Sequence, residues 1–209
     1  MAITASTTST KRELIPTGNY IARCYQMIHI GTVDETVMGT LKTLNKVRIG
    51  WELPTELKVF DESKGEQPLA ISKEYTLSMH EKSNLRKMLA SWRGKDFTEA
   101  EARAFDITKL LGAACMLNII HKQGTKDPTR TFEEISSVTP LPKGITCPPQ
   151  VNATLLLDYD HFDTAIYEKL PDFIKQKISS SKEYKRMQAP AEEQLDHIED
   201  HEEAGDLPF

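Results

Sequence analysis

The hydrophobic period of this chain changes from two to 3.6 and back to two, and that order limits the folds open to it. Residues 47–53 (VRIGWEL) alternate, with Val47, Ile49, Trp51 and Leu53 on one face and Arg48 and Glu52 on the other. This is the spacing of a half-buried strand. Residues 69–79 (LAISKEYTLSM) repeat the alternation, and residues 19–30 (NYIARCYQMIHI) mix β-branched, aromatic and apolar types as a long strand. Leu85, Met88, Leu89 and Trp92 then recur at helical spacing, with Ser83 placed to cap the helix and Gly94 to end it. Thr98 and Glu101 form a capping box for a second short helix over residues 99–105. Residues 110–121 (LLGAACMLNIIH) predict a buried central strand, and 131–139 (TFEEISSVT) a last strand closed by Pro140 and Pro142. Residues 31–46, with two glycines, read as a loop or ribbon, and 54–68 as a polar connection.

The resulting order is three strands, a helix and two strands, which is the order of the OB-fold, a five-stranded barrel that binds oligonucleotides. The expected fold is therefore mainly β with helices: an OB-fold barrel over residues 14–149, with a helix between its third and fourth strands. A short extension follows over 150–187. There residues 151–157 predict a strand, and 161–187 predict short helices interrupted by Pro171. Phe162, Ile166, Tyr167, Leu170, Phe173, Ile174 and Ile178 suffice to pack this extension on the barrel, but not to form a core of their own. Residues 1–13, rich in Ser, Thr and Ala, are expected to be disordered.

Charge divides the chain unequally. Residues 192–209 hold eight carboxylates and no Lys or Arg, so residues 188–209 are expected to form a disordered, solvated tail. The other 191 residues carry 26 Lys and Arg against 23 Asp and Glu, a net of +3. A mildly basic body with an acidic tail suits a protein that touches phosphates reversibly, the tail competing in cis for the same groove. No stretch approaches the roughly 20 apolar residues that span a bilayer, and no signal peptide is visible. Three cysteines (Cys24, Cys115 and Cys147) at unrelated spacings predict reduced thiols in a cytoplasmic protein rather than a disulfide framework or zinc site. Neither a phosphate-binding P-loop nor a dinucleotide fingerprint is present. The expectation is a non-enzymatic protein without cofactor or metal.

The tail closes on Asp206-Leu207-Pro208-Phe209, and this tip resembles the acidic tail of bacterial and phage single-stranded DNA-binding proteins. The body resembles a group of tailed-phage single-stranded DNA-binding proteins. Residues 18–23, Trp51-Glu52-Leu53-Pro54, the run 78–94 (SMHEKSNLRKMLASWRG), Phe97-Thr98-Glu99, Leu110-Leu111-Gly112, and 170–174 (LPDFI) through Lys182-Glu183-Tyr184 carry this resemblance. It implies an OB-fold, sequence-independent binding of single-stranded DNA during replication and recombination, and no catalysis. It also implies docking of replication or recombination proteins on Asp206, Leu207, Pro208 and Phe209. Membrane association is not expected; homo-oligomers are compatible with the pattern.

Single-strand binding needs cations along the backbone and flat side chains for stacked bases. Arg23 and Tyr25 on the first strand, Arg48 on the second, and Lys73 and Tyr75 on the third are candidates. So are Lys42 and Lys46 between the first two strands, and Lys122, Lys126 and Arg130 between the last two. Each has a plain alternative, as a solvated cation or a packed tyrosine. Trp51, sharing a face with Val47, Ile49 and Leu53, reads as core rather than platform, and Trp92 as packing. Three other functions fit parts of the pattern: a strand-annealing recombination protein, an adaptor that does not touch DNA, and a Mg²⁺-dependent nuclease using Asp158, Asp160 and Asp163. For those three acids the competing reading is a strand-to-helix turn with capping residues.

Overall fold

The computed structural model describes residues 13–124 and 127–189. A long meander opens the fold: β1 (Gly18–Val37), β2 (Thr40–Asp61) and β3 (Gly65–Thr76), followed later by β4 (Ala114–Gln123), β5 (Thr131–Thr139) and β6 (Leu155–Leu157). The sheet runs β3-β2-β1-β4-β5, antiparallel throughout, with β6 added parallel to β1. It curls into a half-barrel that brings its two edges, β3 and β5, together: Lys73 Nζ on β3 donates to the Ile135 carbonyl on β5 at 2.7 Å. Residues 18–23 of β1 pair with β4, whereas 26–28 pair with β6. Tyr25 falls at the register shift between them, where a bulge bends the strand and lets it change neighbours.

The first two strands are longer than their hydrophobic pattern indicates. Residues 31–46 form a paired ribbon instead of a loop, its register continuing from Gly31↔Lys46 to Val37↔Thr40. The turn at its tip places Met38 (φ 51°) and Gly39 (φ 80°) both in the left-handed region, as a two-residue hairpin demands. Met-Gly is an uncommon sequence for that turn, so the usual Asn-Gly signal is missing. Likewise β2 runs on past Pro54, because the register jumps from Leu53↔Leu69 to Leu57↔Pro68 and leaves 54–56 outside the ladder. A proline without an amide proton is tolerated at such a shift.

The concave side buries Ala22, Cys24, Val47, Ile49, Trp51, Leu53, Cys115, Leu117, Ile119, Ile135 and Val138. Helix α1 (Asn84–Arg93) closes one end, inserting Leu85, Met88, Leu89 and Trp92. Ser83 Oγ accepts from the Arg86 amide at 3.1 Å, and Gly94 at φ 77° ends the helix in the left-handed conformation. Trp92 Nε1 donates to the Ala114 carbonyl at 3.0 Å and Ser91 Oγ to that of Val138 at 2.7 Å, which pins α1 to β4 and β5. The expected capping box of Thr98 and Glu101 is present on α2, which ends at Arg103 (Glu99–Arg103). The apolar run at 110–121 divides: Ile107–Leu110 makes a 3-10 turn, Gly112 turns the chain at φ 81°, and β4 starts at Ala114. All three cysteines are buried and free.

After β5 the chain returns along β1 and finishes in α3 (Thr164–Glu168), α4 (Asp172–Ser180) and α5 (Lys182–Gln188). A second apolar cluster forms on the convex side of β1, where Ile28, Ile30 and Val33 meet Leu157, Tyr167, Leu170, Ile174 and Ile178. Polar anchors fix the return path. The fully buried Glu52 accepts from the amides of Val151 (2.8 Å) and Asn152 (2.7 Å), and Glu183 accepts from the Thr32 amide and hydroxyl, both at 2.6 Å. Among the described residues no helix is long and apolar enough to cross a membrane.

Candidate nucleic-acid interface

The cations singled out in the sequence divide into those held by the fold and those left at its surface. Arg23 is held: its guanidinium donates to the carbonyls of Gly112 (2.5 Å), Pro148 (2.8 Å) and Cys147 (3.3 Å), tying the segment after β5 to β1. Lys42 on the ribbon and Arg130 before β5 are exposed. Lys126 and the tail tip at 206–209 lie outside the described residues. Tyr75 is buried in the core at 5 % exposure, and that burial pushes its hydroxyl pKa up. Tyr25 is half-buried at the bulge; burial again raises its pKa, Glu52 adds to the rise and Arg48 opposes it. Trp51 and Trp92 are both buried, with ring centroids 6.0 Å apart.

The remaining four cations sit in two ion clusters. Glu74 on β3 binds Lys177 of α4 at 2.6 Å, Arg48 at 3.2 Å and Lys46 at 3.7 Å. Lys46 also binds Glu35 at 2.5 Å. Burial alone raises the Glu74 pKa, but the Lys177 hydrogen bond, with the charges of Lys177, Lys46 and Arg48, outweighs it and holds the group below the ordinary value. The Arg48 guanidinium also lies 5.3 Å from the centroid of the Phe173 ring, a cation–π contact that helps seat α4 on the convex side of β2 and β3. The second cluster centres on Glu134 of β5, bound by Lys122 at 3.0 Å and Lys73 at 3.3 Å. The hydrogen bond from Lys122 is the main cause that lowers its pKa.

Between the two clusters runs a groove of about 840 Å³, walled by β3, β5 and the N-terminal half of α1. Lys46, Lys73, Lys82 and Lys87 line it, with hydroxyls from Ser78, Ser83, Ser136 and Ser137. Lys82 and Lys87 are exposed, and among the described residues neither ammonium has a carboxylate partner. Neither is among the cations that the strand and loop pattern singles out. They belong to the helix region rather than to the strands and loops on which an OB-fold concentrates its ligand contacts. A smaller, more apolar cavity of about 380 Å³ meets this groove at Ser78 and is walled by Met27, Leu77, Leu85, Phe105 and Ile107 among others.

The acids at 158–163 serve the turn between β6 and α3. Asp158 accepts from the His161 amide at 2.7 Å, and Asp163 caps α3 by accepting from the amides of Ala165 and Ile166. Among the described residues no group of three His, Cys, Asp or Glu side chains is placed to hold a metal ion. Comparison with known protein families, curated proteins and solved structures finds no match to this chain.

Proposed function

We propose that this protein binds single-stranded DNA without sequence preference and does no chemistry on it. The observation that carries this reading is the strand order β3-β2-β1-β4-β5, with α1 between β3 and β4 and the two edge strands facing each other. That connectivity supports an OB-fold, whose common use is oligonucleotide binding. A lysine- and hydroxyl-lined groove beside those edges adds the electrostatic half of the requirement. The resemblance to tailed-phage single-stranded DNA-binding proteins points the same way. On it, the protein protects single strands during replication and recombination, and its acidic tail, ending in Asp206-Leu207-Pro208-Phe209, recruits partner enzymes.

The test is fluorescence anisotropy of labelled oligo-dT and of a duplex of equal length, titrated with the full chain across a salt series. Binding to the single strand that weakens as salt rises, with the duplex much poorer, is the expected result. Absence of single-strand binding at low salt sinks the proposal.

A further inference from the structure

We infer that a bound single strand runs through the cleft between β3, β5 and α1, with its phosphates on Lys82 and Lys87, rather than over the convex face of β2 and β3. This inference rests on the single-strand-binding reading above and gives it a path. Three features lead to it. First, the convex face is partly covered: α4, which packs mainly on β1, reaches over it through the 2.6 Å bond from Lys177 to Glu74 and the Phe173 ring against Arg48. Second, the cations of that face, Arg48 and Lys177, already share Glu74, so a phosphate there would have to displace that carboxylate. Third, the cleft is open and its charge is unbalanced in favour of an anion.

That imbalance can be followed residue by residue. Of the cleft's two carboxylates, Glu74 is neutralised in part from outside by Arg48 and Lys177, and Glu134 in part from outside by Lys122. Lys82 and Lys87 line the cleft, and among the described residues neither has a carboxylate partner. The backbone that carries them is braced. Ser83 Oγ donates to the Ser78 carbonyl at 2.5 Å, the Lys82 amide donates to His80 Nδ1 at 3.2 Å, and Ser91 and Trp92 anchor the far half of α1. Two ammonium groups without a carboxylate partner among the described residues, carried on a braced backbone beside a row of hydroxyls, suit successive backbone phosphates, with sequence left unread.

The experiment is a salt series of oligo-dT binding by the full chain, comparing the unaltered protein with K82Q/K87Q, K82R/K87R and F173A. Each single-strand phosphate contact adds about 0.7 to the slope of log affinity against log salt. K82Q/K87Q is thus expected to lower the slope by about 1.4 and affinity at 0.1 M salt on the order of 10-fold. The arginine pair should keep the slope, and F173A should change neither quantity. Both lysines are exposed, so an unchanged melting curve separates lost contact from lost fold. An unaltered slope in K82Q/K87Q, or a loss confined to F173A, overturns this path. Failure of the unaltered protein to bind oligo-dT at all removes the single-strand reading itself, a separate result.

Discussion

Lys177 of α4 donates to Glu74 of β3 at 2.6 Å, a bond that joins the C-terminal helices to the barrel's third strand. Because the Glu74 carboxyl is held below its ordinary value of 4.5, the stability it contributes is fully present above that pH and is lost as pH falls through the lowered folded value. Acidification below about pH 4.5 should therefore loosen α4 before the barrel melts. E74Q should lower the melting temperature at pH 7 and flatten the acid limb of the stability profile. Thermal melts followed by circular dichroism between pH 3 and 7 check both; an E74Q profile parallel to that of the unaltered protein would refute the assignment.

Gly31 lies against the start of α5, beside Ser181 and Glu183. Its φ is +91°, and a Cβ there would lie 2.8 Å from Ser181 Cβ. G31A is expected to destabilise by more than about 1 kcal/mol, since an incompatible conformation costs more than the entropy gained from the unfolded state. Gly39, at φ +80° but with open space around it, is the control and should lose less. Urea denaturation midpoints of the two variants test the difference.

Glu52 is fully buried and takes two backbone amides and the Asn152 side chain. E52A removes the acceptor of those donors and is expected to cost about 1–3 kcal/mol, the range for leaving buried hydrogen-bonding groups unsatisfied. Proteolysis of E52A near residues 148–152 should quicken. Unchanged protection there would show that Glu52 does not hold the segment.

Trp51 and Trp92 are core residues, so neither is a platform for bases. Their emission should be shielded from iodide, and saturating oligo-dT should leave it nearly unchanged. Strong quenching by oligo-dT would place a tryptophan against the DNA. The alanine variant W51A should cost about 3–5 kcal/mol, as large-to-small changes in a tight core do.

The acidic tail is expected to compete in cis with DNA for the cationic groove. Deleting residues 192–209 removes eight carboxylates, and single-strand affinity should rise at low salt, the difference fading as salt screens it. Equal affinities at low salt would sink this competition.

Much of the fold was legible where side-chain chemistry decides local structure. Ser83, Gly94, Thr98 and Glu101 announce their helix ends by capping alone, and β5 occupies the span 131–139 expected for the last strand before Pro140. The ribbon at 31–46 escaped because it projects beyond the core, so backbone pairing rather than apolar alternation holds it together. Pro54 and Pro68 read as breaks, yet a register shift accommodates the first and an edge strand the second. The candidate site was harder. Arg23 and Lys73 look like free cations in a sequence, and only tertiary structure hands them the Pro148 and Ile135 carbonyls. Lys82 and Lys87 become notable only when α1 is laid beside β5.

The apolar strip on the convex side of β1 has a consequence for synthesis. Ile28, Ile30 and Val33 are covered by residues 157–178, which leave the ribosome long after β1 has emerged. The nascent chain therefore carries an uncovered oily stripe through most of translation, a natural target for a holdase. A chain stopped at residue 149 should keep that stripe permanently and bind a dye such as ANS, whereas the full chain should not.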